Sequence, residues 1–430
     1  LGQEMPDGQI RRGRNPPHRH GRLMTSEARM ADVMRASYGR LLAILSSRTR
    51  DILLAEDALS DAFAKALIHW PREMPQNPEG WLLTVARNRL TDMARRDARM
   101  EFHEDVPAAA DEGAEKAPDG FPDERLKLMF VCAHPAIDAR IHTPMMLQTV
   151  LGLDAQVIAQ AFLLPHATMA KRLVRAKRKI RDAGVAFQIP EPDALEGRVS
   201  SVLEAIYGAF SRDWLGAGDL ASEALYLATL MTELMPENGE ALGLAALIAF
   251  TLSREKARVR SGVFVPLEEQ DPALWDRDLL RAARGYLERA QGGGALGRFQ
   301  LEAAIQAVHA DRLSTGIINW TALTQLHLGL SRIAPTIGAS VGYAAALGRA
   351  VGPEQGLEAL CAVEAKARAS FAPAEATRGY LLNALGCHED AAAAYDRAIA
   401  LTVEEPLREY LKTRHALVCA QFSRPPSAAP

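Results

Sequence analysis

Several things are scarce in this chain, and each scarcity excludes something. Its 430 residues hold 4 cysteines, Cys132, Cys361, Cys387 and Cys419, far apart and without a C-x-x-C pair. That excludes a disulfide framework and the usual zinc spacing, and the thiols read as buried residues of a protein in a reducing cytoplasm. Aromatic residues make up 6% of the chain, and strand-like alternation is hard to find, so an alanine- and leucine-rich chain is expected to be all-α. No apolar run reaches the ~18–20 residues a membrane span needs, and no membrane association is expected. Positive charge is not in excess: the net charge is −3, although such a figure averages over segments of opposite sign. There is no glycine-rich phosphate loop after a strand, and Gly216 to Asp219 reads as a connection between helices. His309, His327, His388 and His415 have no partners at ligand or triad spacing, and Cys132 with His134 lacks a second ligand pair. Hence no catalytic residue, no metal and no cofactor is expected; the protein reads as a non-enzyme.

What is present is concentrated in Val157 to Ile180. Met169, Leu173, Ala176 and Ile180 recur at helical spacing as one narrow apolar stripe. Around it stand Lys171, Arg172, Arg175, Lys177, Arg178, Lys179 and Arg181. A short helical pattern just before it, with Val157, Ile158, Ala159 and Phe162, is the right size to pack across the stripe. Pro165 suits the first turn of the second helix. This is the pattern of a helix-turn-helix.

The flanking chain divides by composition. Residues 1–23 carry five arginines among prolines and glycines with no apolar core, and are expected to be a disordered basic leader before Met24. Residues 24–100 show three amphipathic helices. The first runs from Ser26 to about Ser47. The second, Asp51 to Trp70, has Leu54, Ala58, Ala62 and Ala66 on its apolar face. A proline-rich loop ends at Gly80, and Trp81 to about Arg99 makes the third. Acidic residues set among alanine, proline and glycine mark 101–123 as a flexible linker. Order resumes at Leu126 to Cys132 and continues through Met145 to Leu153, giving a second module over 124–187. Pro190 and Pro192 then open a helical domain over 195–421, and 422–430 is a tail. Gly379, Gly386, Ala391, Tyr395 and Ala398 keep the packing positions of a tetratricopeptide repeat, and Gly352 lies 34 residues before Gly386, the period of that repeat. The closing proline is displaced to Pro406, so the repeats are degenerate.

Three stretches taken together resemble a bacterial RNA polymerase sigma factor of the extracytoplasmic-function type. Ala55 to Leu67, AEDALSDAFAKAL, looks like the helix that docks on the polymerase clamp. Trp81 to Arg96, WLLTVARNRLTDMARR, looks like the helix that opens and reads the promoter −10 element. The helix-turn-helix looks like the −35 reader. Asp123 to Ile137, with the basic run that begins at Arg172, is similar to a subgroup whose members carry a long helical, tetratricopeptide-like C-terminal extension. The resemblance implies two polymerase- and DNA-binding modules, region 2-like over 24–100 and region 4-like over 124–187.

The resemblance also implies roles. Glu56, Asp57, Asp61 and Lys65 would face the polymerase; Asp57 and Asp61 lie one turn apart, so their carboxylates share a face suited to a basic clamp surface. Arg87, Asn88, Thr91, Arg95 and Arg96 would meet the −10 strand, Asn88 by offering an amide to a flipped base. His166, Thr168, Lys171, Arg172, Arg175 and Arg178 would meet the −35 duplex, with Lys177 and Lys179 following phosphates. Ala170 departs from the polar residue usual at its position, which puts base readout there in doubt. Trp81 reads as a core anchor rather than a DNA wedge. The partners implied are core RNA polymerase (β′ clamp and β flap), promoter DNA, and a regulatory protein or peptide at the C-terminal domain. Two other readings fit parts of the chain. One is a helix-turn-helix regulator with a helical sensor or scaffold domain, which leaves Ala55–Leu67 and Trp81–Arg96 without a use. The other is a repeat scaffold or enzyme acting through its C-terminal half.

Overall fold

The structure is a computed structural model that describes residues 26–101, 123–215, 220–292, 294–363 and 365–422. The expected leader, the body of the acidic linker, the break at Gly216–Gly218 and the tail lie outside the described residues. The fold is all-α, as the composition implies, with one small exception below.

Three helices open the chain: α1 (Ser26–Thr49), α2 (Ile52–His69) and α3 (Pro78–Glu101). Asp51 caps α2, its carboxylate accepting from the amides of Leu53 at 2.9 Å and Leu54 at 3.3 Å. The buried face of α2 is Ile52, Ala55, Ala58, Leu59, Ala62 and Ala66. Leu54, placed on that face by the sequence reading, is only half-buried; the stripe starts at Ile52 and drifts around it. α3 begins earlier than expected. The Asn77 side chain accepts from Gly80 N at 2.9 Å, so Pro78 and Gly80 are first-turn residues rather than the end of a loop. Leu82 and Ala86 are buried against α1 and α2.

The next four helices are α4 (Glu124–Cys132), α5 (Ala139–Thr149), α6 (Ala155–Ala161) and α7 (His166–Asp182). α5 stops at Thr149, and the chain turns through Gly152 at φ +66°. α4 packs on α1, and the turn after α5 abuts it so closely that a Cβ on Gly39 would lie 1.7 Å from the Val150 carbonyl oxygen. Only glycine fits there.

The remaining chain winds through α8 (Pro192–Arg212), α9 (Leu220–Leu234), α10 (Gly239–Leu252) and the single turn α11 (Glu255–Arg258). A two-residue antiparallel hairpin follows, β1 (Val259–Arg260) with β2 (Val263–Phe264), where alternation was too short to see in sequence. Then come α12 (Arg277–Ala290), α13 (Arg298–Ala310), α14 (Arg312–Thr315), α15 (Trp320–Ile333), α16 (Ile337–Ala350), α17 (Pro353–Cys361), α18 (Ala365–Ala369), α19 (Ala372–Ala384), α20 (His388–Leu401) and α21 (Glu405–Phe422). α10 is apolar all round and buried on every side, which suits the hub it makes with α8, α9, α12 and α13. Beyond it, α15/α16 and α19/α20 are helical hairpins with short turns. Gly352 and Gly386 each stand two residues past a helix end, and Gly386 adopts φ +78°, which glycine alone does without strain. Ala391, Tyr395 and Ala398 are buried. α21 returns to the hairpin, where Tyr410 meets Phe264 edge-on at 5.8 Å.

One hydrophobic core runs from Met30 to Ala310, taking in α1–α13. Smaller clusters hold α13, α15 and α16, then α16, α17 and α19, then α19–α21. Of the cysteines, Cys132 is buried, with burial pushing its thiol up to about 12. Cys361 and Cys387 are exposed and Cys419 is intermediate, against the expectation that all four are buried. His415 is also partnered, 3.3 Å from Asp396 and 3.6 Å from the Cys419 sulfur.

Two histidines in the extension predict a pH response. Burial, reinforced by Arg254, His327 and Arg312, pushes His309 down to about 3, and burial pushes His327 down to about 4. The unfolded chain takes up these protons near the ordinary value of ~6.5, while the folded chain does not until about 3 to 4. Stability held by the two groups is therefore complete above ~6.5 and declines as pH falls toward about 4. Urea melts across pH 7.5 to 4.5 are expected to show a shallower acid-side fall for the His309→Gln, His327→Gln double variant than for the parent chain.

Candidate nucleic-acid interface

The helix-turn-helix is built from local rules. Asp154 caps α6, accepting from Gln156 N at 2.6 Å. The chain turns at Phe162–Leu164, where Leu164 N donates to Ala159 O at 2.9 Å. Pro165 is the N-cap of α7 rather than a first-turn residue, and α7 starts at His166. Ile158 and Ala159 pack into the stripe of Met169, Leu173, Ala176 and Ile180, all buried. Phe162, expected in that packing, is 38% exposed because the turn carries it out.

The outer face of α7 is open. His166, Lys171, Arg172, Arg175 and Arg178 are exposed, and Thr168 and Ala170 are half-buried. Lys179 is exposed as well, and Val174 is 40% exposed between the cations. Lys177 is different. It is 3% exposed and ion-paired to Glu56 of α2, so it cannot follow a phosphate as the sequence reading had it. Arg181 lies 3.7 Å from Asp51 on the same side. α7 thus turns Lys177 and Arg181 onto α2 and leaves the face of Lys171, Arg175 and Arg178 exposed.

α3 presents a second polar surface. Arg87, Asn88, Thr91, Arg95 and Arg96 are all exposed. Arg87, Asn88, Thr91 and Arg95 fall within one sector of the helix, with Arg96 further round. Thr91 spends its hydroxyl proton on the Arg87 carbonyl at 3.0 Å, leaving oxygen lone pairs outward. Trp81 is half-buried and meets Trp70 edge-on at 5.7 Å, so it anchors the α2–α3 turn.

The four residues expected to face polymerase do not form one free face. Asp57 and Lys65 are exposed. Asp61 is ion-paired to Arg89 of α3. Glu56 takes the ammonium of Lys177 and lies 3.4 Å from the Tyr38 hydroxyl. Burial beside Glu56 holds that phenol well above its ordinary range. The sequence reading missed this pairing, because nothing in a list of charges says which cation meets which carboxylate. The one available hint was that Lys177 sits directly beside Ala176 of the apolar stripe.

The C-terminal helices hold the second module as well. Arg125 of α4 is ion-paired to Glu223 of α9, Arg198 of α8 donates to the Phe130 carbonyl at 3.2 Å, and His142 of α5 lies 3.3 Å from the Ser201 hydroxyl of α8. Between α5, α6 and α8 is an apolar cleft of about 390 Å³ lined by Leu147, Leu153, Val157, Phe162 and Tyr207.

An exposed basic face on α7 and a polar face on α3 thus stand on one all-α frame. Comparison with known families says what this frame is similar to. Residues 33–100 match Sigma-70 region 2, and 198–291 match a family of unknown function, DUF6596. The first match covers most of α1, all of α2 and nearly all of α3. A protein from Rhizobium meliloti (strain 1021), described as Uncharacterized protein R00370, is 33% identical over 380 residues, covering 84% of this chain and 89% of that protein. The chain belongs to the family of that protein, and its N-terminal three helices are similar to sigma-70 region 2. No solved structure matches. Among the described residues no helix is long and apolar enough to cross a membrane.

Two variants test the local geometry. Leu163 holds φ +52° with its side chain 92% exposed. Leu163→Gly relieves a left-handed leucine at no cost in packing and is expected to stabilise the fold by about 0.5–1 kcal/mol in denaturant melts, the remainder of the strain being offset by the freer unfolded chain. Lys177→Met leaves Glu56 half-buried and without its cation, and is expected to cost about 1–3 kcal/mol. Adding Glu56→Gln is expected to restore most of that loss; additive losses in the double variant would contradict the pairing.

Proposed function

We propose that the protein is an RNA polymerase sigma factor of the extracytoplasmic-function type. It binds core polymerase, reads promoter −10 and −35 elements, melts DNA and starts transcription. The observation that carries this reading is the sigma-70 region 2 match over α1–α3 on the same chain as a helix-turn-helix with an open basic face. In this reading the units are 24–100 (region 2-like), 124–187 (region 4-like) and 195–421, a degenerate tetratricopeptide-like domain that regulates the other two. The protein acts in the cytoplasm.

The roles follow from which groups are free. Asp57 and Lys65 are the exposed members of the polymerase-facing set and make first contact with the β′ clamp; Asp61 and Glu56 join after Arg89 and Lys177 release them. Asn88 offers donor and acceptor to an extruded base, with Arg87, Thr91, Arg95 and Arg96 along the strand. Lys171 and Arg175 reach guanine edges or phosphates, while Arg172 and Arg178 follow the backbone. Each DNA contact is weak alone, and attachment to polymerase supplies the effective concentration that makes them useful together.

Purified protein added to core enzyme is expected to direct transcripts from a genomic promoter library. Asp57→Arg with Lys65→Glu is expected to abolish core binding in a pull-down of the β′ subunit while leaving the melting curve unchanged. A chain that binds a palindromic operator as a tight dimer without polymerase, and starts no transcript with it, would instead be a conventional helix-turn-helix regulator. With Lys171, Arg172, Arg175 and Arg178 on phosphates, log K for −35 DNA is expected to fall against log salt with a slope of about −3.6.

A further inference from the structure

The junction of α10, α11, α13 and α14 gathers three arginines, and the most buried of them to lack a counter-charge is Arg254. Arg254 is 5% exposed and Arg258 is 3% exposed. One arm of the Arg254 guanidinium donates to the Gln306 side-chain oxygen at 2.5 Å, and the other, Nη1, has no hydrogen-bond partner among the described residues. The charges that bear on Arg254 are Arg258 and Arg312, both of its own sign. Arg258 donates to the Thr251 carbonyl at 2.5 Å and lies over the Trp214 ring at 5.5 Å; the negative charges near it are Glu255 and Asp213. Arg312 donates to the carbonyls of Glu268 and Gln270 and stacks over Trp275 at 5.3 Å.

Several buried polar atoms without a hydrogen-bond partner among the described residues fall in this same neighbourhood, one of them an acceptor, Gln270 Oε1. Besides Arg254 Nη1, they include His309 Nδ1, His327 Nδ1 and Trp275 Nε1. The charges of Arg254, His327 and Arg312 bear on His309, which stands one turn along α13 from the Gln306 that Arg254 engages, and the ring of Trp275 is the one under Arg312. Each buried polar group left unpaired costs about 1–3 kcal/mol, and a buried cation without a counter-charge costs more. A protein interior seldom carries several such groups together unless something complements them. Water satisfies donors and leaves the charge; an anion does both. Arginine forks, an indole N–H and neutral imidazoles able to donate are the donor set that oxyanions take.

We propose that this junction is a binding site for a small oxyanion, a carboxylate or a phosphate group, held principally by Arg254 with Arg312 and His309. Arg254 and Arg258 lie in the 198–291 segment that matches the family of unknown function, and Arg312 and His309 lie beyond it. An anion here ties the α10–α11 corner to α13 and α14, and so ties the segment nearest the DNA-binding module to the outer hairpins.

The test is thermal unfolding of the full chain in a zwitterionic buffer low in anions, titrated with sodium phosphate or with sodium acetate. The parent midpoint is expected to rise by ~2–4 °C at saturation with at least one of the two. Phosphate alone, or acetate alone, then identifies the group. Arg254→Met is expected to show no rise and, in the anion-poor buffer, a midpoint at or above the parent's, because its unpaired charge is gone. Arg254→Lys, which keeps the charge but loses the fork, is expected to keep a weaker response. An equal response of parent and Arg254→Met to both salts overturns the proposal. Should Arg254→Met fail to fold, equilibrium dialysis of the parent against labelled phosphate and labelled acetate decides: one saturable site per chain supports the proposal, and none for either anion overturns it.

Discussion

The arrangement of the N-terminal half depends on how α7 is seated against α2. Lys177 enters a nearly closed position beside Glu56, and taking a lysine out of water is tolerable only with a partner in place. The contact fixes the rotation of α7. With Lys177 inward, the stripe of Met169, Leu173, Ala176 and Ile180 lies in the core, and Lys171, Arg172, Arg175 and Arg178 must point out. The turn at Val150 against Gly39 sets the distance between α1 and the end of α5, since any side chain at position 39 would push them apart. A charge pair sets the rotation and a missing side chain sets the spacing.

That seating engages groups that the proposed function needs free. Glu56 is held by Lys177 of α7, and Asp61 by Arg89 of α3. The same continuous core that joins α1–α3 to α4–α7 extends through α8–α10 into the C-terminal half. The extension therefore does more than follow α4–α7 in sequence. Arg125–Glu223, Arg198 on the Phe130 carbonyl and His142 on Ser201 fasten it to those helices, and any movement of α7 away from α2 is made against those fastenings.

Much of the helical frame was legible in the residues. The three N-terminal helices, the helix-turn-helix and the 34-residue spacing of Gly352 and Gly386 rest on periodicity and turn chemistry, which are local. The misreadings were local contests. Asn77 accepted an amide proton and moved the start of α3 back to Pro78; Pro165 served as a cap; the two-residue strands at Val259 and Val263 were too short for alternation to register. Of the polar candidates, the α3 row and the outer face of α7 were legible because a helix separates its faces by a fixed angle.

Sequence by itself determined that this is a helical protein with a basic amphipathic α7 and an amide-bearing α3 face, because hydrophobic period and cap chemistry act over three or four residues. Only the tertiary structure decided which charges are available. Lys177 and Lys179 are two residues apart and look alike in the chain, yet one is sealed against Glu56 and the other is in solvent. Arg254, Arg258 and Arg312 look like ordinary surface arginines until the packing of α10 on α13 brings them together. The physical reason is the same in both cases: the energy of a charge is set by its desolvation and by its neighbours across space, and neither is written along the chain.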